Sequence, residues 1–241
     1  GCSHRIATET TMVAMPEVTI GLYPDVGASW FLNRAPGRSG LFLGITGQRI
    51  NAADAKFIGI ADRLLDNTQK DAFMSGLLSA NWQDTEMAGD IINAILRPLE
   101  ASSATSNQHS LVREHYDLIE QLTDVDNAVE LMSNITALET DDKWLIKAQK
   151  AIAHGSPMSI AMIYRQFYAA KHYSLKEVFI SELALSTQCC AIGEIAEGIR
   201  ALLVDKDGKP NWQFKQVEEV TDAFLDQMFS SPWPVSPLAD M

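Results

Sequence analysis

Two carboxylates are set apart by their neighbours. Glu17 is surrounded in sequence by Val18, Ile20, Leu22 and Tyr23, with no Lys or Arg in the eight positions that follow it, and Asp25 lies in the run Pro24-Asp25-Val26-Gly27. A carboxylate buried among apolar side chains loses hydration, which disfavours its charged form and raises its pKa toward neutrality. There it can take up and return a proton, the work of a general acid or base. A plainer reading fits the same residues: Glu17 is exposed at a strand end and Asp25 opens a turn. Residue types alone leave both open.

Other patterns fall short of a site. Asp205-x-Asp207-Gly208 starts like a calcium loop, but its glycine comes two places early and no Glu closes it, so a solvated turn is expected. The five histidines (4, 109, 115, 154 and 172) never fall at zinc-ligand spacing, and His115 reads as a packing residue. No phosphate-binding glycine loop occurs, and Ser29 lacks the second glycine of a nucleophile elbow. Cys2, Cys189 and Cys190 form neither a disulfide framework nor a Cys-x-x-Cys pair. They are expected in a reducing compartment as small core hydrophobes.

The elements that must position the two acids can be read from local signals. The run 8–14 is rich in β-formers and predicts a strand ending at Pro16. Residues 28–33 predict a short helix, 38–47 an apolar helix stopped by Gly47, 53–57 another helix, and 59–65 a second strand. Helices follow over 71–78 and 84–96, the latter stopped by Pro98; 100–110 reads as a loop. Leu111, His115, Leu118, Ile119 and Leu122 share a helical face. A helix starting near Thr140 carries Asp141 and Asp142 in its first turn and directs Trp144, Ala148 and Ile152 inward. Ser156-Pro157 and the capping box Ser174 to Glu177 begin two more.

The expected architecture is therefore α/β in residues 1–65 and helical in 66–241. At 46% apolar and 21% charged residues the chain is too hydrophobic to be disordered throughout. Its formal charge of −12 disfavours nucleic acid and anionic membranes as partners, since both select basic surfaces. No apolar run approaches the ~20 residues of a membrane span.

The stretches Ser3-His4-Arg5-Ile6-Ala7-Thr8-Glu9, Met15-Pro16-Glu17 and Ile20 to Gly27 resemble the crotonase (enoyl-CoA hydratase/isomerase) superfamily. So do Leu41 to Gly47, Ala52-Ala53-Asp54-Ala55, Gly59-Ile60-Ala61, Gly155-Ser156-Pro157, and Glu197 to Asp207 with Pro210 and Trp212. The Pro-Asp-Val-Gly run is similar to the branch that hydrolyses 3-hydroxyisobutyryl-CoA, because ordinary hydratases lack an acid at that position. Ala28-Ser29-Trp30 departs from the branch's glycine-rich pattern; Trp30 either narrows the acyl pocket or packs in the core.

The resemblance implies the C-terminal portion of a crotonase-like spiral fold followed by a helical region. It implies hydrolysis of a short β-hydroxyacyl-CoA thioester, as in valine breakdown, with Glu17 as catalytic carboxylate and Asp25 as the second acid touching substrate. No metal and no cofactor are expected beyond the coenzyme A of the substrate. The expected partner is an acyl-CoA, with homo-oligomer formation left open, in the cytoplasm or, in a eukaryote, the mitochondrial matrix. In the family the oxyanion donors precede the Ser-His-Arg-Ile-Ala-Thr segment. The chain is therefore expected to lack them and to be inactive alone. The alternatives are an enoyl-CoA hydratase/isomerase and a non-catalytic helical fragment or interaction module.

Overall fold

The computed structural model describes residues 2–83 and 87–240. In chain order come β1 (Ile6–Ala7), α1 (Ala28–Phe31), α2 (Ser39–Thr46), α3 (Ala52–Phe57), β2 (Arg63–Leu64), α4 (Lys70–Ser79) and α5 (Ala88–Ala101). They are followed by α6 (Leu111–Glu114), α7 (Tyr116–Leu122), α8 (Ala128–Thr136), α9 (Lys143–His154) and α10 (Pro157–Ala169). The chain ends with α11 (Leu175–Ile192), α12 (Glu194–Ile199), a π-helical turn Arg200–Val204 and α13 (Asp222–Met228). Contacts divide it into two units, 1–13 with 49–115 and 14–48 with 116–241. The division expected after residue 65 differs from this grouping, because each unit draws on both sides of it.

In the first unit β1 and β2 pair in parallel, Ile6 opposite Arg63 and Ala7 opposite Leu64. The strand expected over 8–14 does not form. Thr11 N–H bonds the Thr8 carbonyl and its hydroxyl takes the Thr8 N–H, so the threonines close a local turn in place of a ladder. Only Val13 bridges to Ile50. The second strand shrinks from 59–65 to two residues. Pro98 does not stop its helix either: α5 runs on to Ala101. Glu100 there accepts bonds from Lys56, from Arg63 at 2.9 Å and from Leu64 N–H at 3.1 Å, which offsets the backbone bond that proline forgoes. The 100–110 segment accordingly holds the end of α5 and a 3-10 turn, Ala104–Asn107. Residues 84–86, where the α5 reading began, lie outside the described residues. The single helical face read over 111–122 is broken at His115 into α6 and α7.

The second unit is helical and holds the larger core. Every residue of α2 is buried, with the Phe42 ring 5.4 Å from Trp144 of α9. Gly47 at φ +58 ends α2 as expected. The helix read from near Thr140 starts later, at Lys143: Asp141 lies before it, and Asp142 caps α9 by accepting the N–H of Trp144 and Leu145. Ser156 caps α10 with Pro157 in its first turn, and Ser174 with Glu177 forms the capping box of α11. Helix α8, capped by Asn127, was not anticipated. Of the three cysteines only Cys189 is buried; Cys2 and Cys190 are exposed, which corrects their reading as core residues. Among the described residues no single helix is long and apolar enough to cross a membrane.

Candidate active site

Glu17 opens a 3-10 turn, Glu17–Ile20, instead of ending a strand. Gly21, at φ +73, closes the turn by donating its N–H to the Glu17 carbonyl. The turn is gripped from several sides. Val18 is wholly buried, and its carbonyl accepts the Ser156 N–H at 2.9 Å. On α12, Gly198 lies so close to Ile20 that a Cβ there would fall 2.4 Å from the Ile20 carbonyl. Glu194, also on α12 and 4% exposed, accepts the Ser156 hydroxyl at 2.7 Å and the Gln213 N–H at 3.1 Å. These contacts hold the backbone of the turn that carries Glu17.

One Glu17 carboxylate oxygen, Oε2, is buried and has no hydrogen-bond partner among the described residues. Loss of hydration, reinforced by the charge of Asp25, pushes the group up to about 7. Asp25 is itself raised above the ordinary carboxylate range by partial burial. The fold thus brings the two sequence-predicted acids within electrostatic reach of each other, and Glu17 is a half-buried acid in place of an exposed one.

Asp25 sits on the turn leading into α1. Its carbonyl accepts the Ala28 N–H at 2.9 Å, and the next two residues take left-handed conformations, Val26 at φ +51 and Gly27 at φ +87. One group that sequence reading missed, Glu182, secures this turn from α11. Glu182 accepts the N–H of Gly27 at 2.7 Å and of Ser29 at 3.0 Å, while the buried Tyr23 donates its hydroxyl to the Glu182 carbonyl and contacts Ser186. The signal for Glu182 was present: with Val178, Leu185 and Cys189 it lies on the buried stripe of α11, an acid where a hydrophobe belongs.

Behind the turn a cavity of about 20 Å³, walled by Tyr23, Pro24, Ser29, Leu32, Ile163 and Gln166, has room for one water and none for an acyl chain. Trp30 is half-buried with the Arg34 guanidinium 3.7 Å from its ring centre, so it is neither a core residue nor a wall of that cavity. The Asp205-x-Asp207 pattern serves Arg200, which pairs with the two acids at 2.6 and 2.8 Å. No group of three or more His, Cys, Asp or Glu suited to a metal ion occurs among the described residues.

A family model described as enoyl-CoA hydratase/isomerase matches residues 1–229. Curated relatives named 3-hydroxyisobutyryl-CoA hydrolase, mitochondrial, are 32% identical in Xenopus laevis and 33% identical in Bos taurus, each alignment covering 94% of this chain and 58% of the relative. The Arabidopsis thaliana 3-hydroxyisobutyryl-CoA hydrolase 1 is 32% identical over 93% of the chain. The chain therefore spans just under three fifths of the length of these relatives. Among solved structures, an enoyl-CoA hydratase from Rhodobacter sphaeroides 2.4.1 superposes with a TM-score of 0.80 at 27% identity, covering 96% of this chain and 63% of the other. A carnitinyl-CoA dehydratase from Mycobacterium thermoresistibile gives 0.79 at 30% identity, covering 98% and 63%.

Proposed function

Because the chain belongs to the enoyl-CoA hydratase/isomerase family, we propose that it carries the acidic pair of an acyl-CoA thioester hydrolase acting on a short β-hydroxyacyl-CoA, 3-hydroxyisobutyryl-CoA first among them. The observation that carries this reading is the buried, unpartnered Glu17 Oε2 within electrostatic reach of Asp25. A carboxylate with a pKa of about 7 is half deprotonated near neutrality and holds its proton weakly enough to return it.

In this scheme water adds to the thioester carbonyl as its proton passes to Glu17. The tetrahedral intermediate then expels the coenzyme A thiolate, which takes that proton, leaving the free hydroxy acid. Alternatively the Glu17 carboxylate attacks the carbonyl and expels the coenzyme A thiolate, forming a mixed anhydride; water then cleaves the anhydride to the free hydroxy acid and the Glu17 carboxylate, its proton ending on the thiolate. Asp25 accepts the β-hydroxyl of the substrate or orients the water. The developing oxyanion needs backbone N–H donors, which we place outside residues 1–241. The names of the relatives would put a eukaryotic member in mitochondria.

The hydratase name of the Rhodobacter sphaeroides structure favours a second reading, addition of water across an enoyl-CoA double bond. A panel of acyl-CoA thioesters given to the full-length product of the gene separates the two. The hydrolase reading expects release of free coenzyme A thiol, fastest from 3-hydroxyisobutyryl-CoA. Hydration of an enoyl-CoA with no thiol released would replace it.

A further inference from the structure

Glu182 takes no part in the chemistry above, yet it is 3% exposed and each of its oxygens accepts a hydrogen bond. Two of those bonds come from the backbone of Gly27 and Ser29; the third comes from the side chain of Tyr23. Residues on either side of Asp25 are therefore tied to one residue of α11. The tie has a reason in the local sequence. Helix α1 has no side-chain cap of its own, since its N-cap is Gly27. The turn before it holds Val26, a β-branched residue, at φ +51, a conformation L side chains rarely adopt. A segment with those features does not hold its shape unaided.

We infer that Glu182 is the positioning residue for Asp25: its carboxylate caps α1 from the neighbouring helix and so fixes where the Asp25 side chain stands relative to Glu17. The inference rests on the proposed role of Asp25 and deepens it. Geometry limits what can replace Glu182. Gln keeps the size but offers one acceptor oxygen to two N–H donors and turns its own NH2 toward the other, leaving a buried donor unsatisfied. The ionisable groups that act on Glu182 are Asp25, through its charge, and Tyr23, through its hydroxyl on the Glu182 carbonyl.

The test is a double-mutant cycle in the full-length gene product, read as thiol release from a β-hydroxyacyl-CoA. Glu17→Gln and Asp25→Asn come first. If both keep wild-type turnover, the proposed function fails, and this inference with it. If turnover falls in these variants, Glu182→Gln decides the inference separately. Misplacing a substrate-contacting group by about 1 Å predicts a loss of about 10- to 100-fold in kcat. In the Asp25→Asn background the same change should cost less than about 3-fold, because what it positions is already gone. A purely structural role would give equal losses in both backgrounds. Equal losses, or a Glu182→Gln enzyme within about 3-fold of wild type, would overturn the inference. If Glu182→Gln does not fold, as judged by circular dichroism, Glu182→Asp goes through the same cycle under the same criterion, since it keeps two acceptor oxygens one methylene further back.

Discussion

Replacing Gly198 by alanine tests whether the packing of α12 against the Glu17–Ile20 turn is what places Glu17. The new Cβ would lie 2.4 Å from both the carbonyl carbon and oxygen of Ile20 and 2.5 Å from its Cα, where ordinary contact starts near 3.4 Å. About 1 Å must be found, and the obstacle is backbone, which has no rotamer to turn aside. Helix α12 is itself pinned: Glu194 holds Ser156 and Gln213, and Arg200 just beyond holds Glu197. The turn and the helix must part. Overpacking of this kind costs about 1–3 kcal/mol of stability, and a 1 Å displacement of a reacting group costs up to about 10²-fold in rate. The assay is thermal unfolding together with thiol release by full-length Gly198→Ala. Gly89→Ala is the control, because a Cβ there meets nothing within 4 Å and Ala favours the helix. It should leave activity unchanged and stability equal or slightly higher. If Gly198→Ala matched wild type in both measurements, the close approach at Ile20 would not be what fixes Glu17.

Three further outcomes follow from the same geometry. Asp25→Asn should weaken turnover of a β-hydroxyacyl-CoA more than that of the matching acyl-CoA without the hydroxyl, by the about 1–3 kcal/mol of an unpaired buried polar group; equal losses would assign Asp25 to water or to the turn. Because burial raises Glu17 from 4.5 to about 7, the native state binds the more protons over that range and stability falls as pH rises through it. Glu17→Gln should therefore unfold at a higher temperature than wild type at pH 8 and gain nothing below pH 4.5, as scanning calorimetry at both values would show. Residues 1–241 alone should release thiol at least about 10²-fold more slowly than the full-length product, the usual cost of one missing oxyanion donor; comparable rates would place the donors within this chain.

What the sequence disclosed was mostly local. The caps at Ser156 and Ser174 and the stop at Gly47 depend on residues within a turn of one another, and all three stand where expected. Glu17 and Asp25 were visible as acids in apolar company and lie together in the fold. The failures came where distant partners decide. Thr8 and Thr11 preferred each other to a neighbouring strand, and Pro98 was carried through its helix by bonds between Glu100 and residues 36–44 positions away. Glu182 meets Gly27 across 155 positions, a pairing no local window contains. The unanticipated helix α8 had a readable start, Asn127 with Glu130 three places on, which makes it a missed local signal and not a distant one.

The central claim is that Glu17 acts as the base of a thioester hydrolysis. It is tested most directly by the pH dependence of thiol release from 3-hydroxyisobutyryl-CoA, measured on the full-length product and its Glu17→Gln variant. A base must be deprotonated to work, so kcat/KM of the wild type should climb with pH through an apparent pKa near 7 and level off above it. Glu17→Gln should be slower by about 10²–10⁴-fold and lose that limb. A variant that keeps wild-type turnover, or a wild-type profile flat from pH 5.5 to 8 (about 1 unit or more either side of the expected midpoint), would contradict the account.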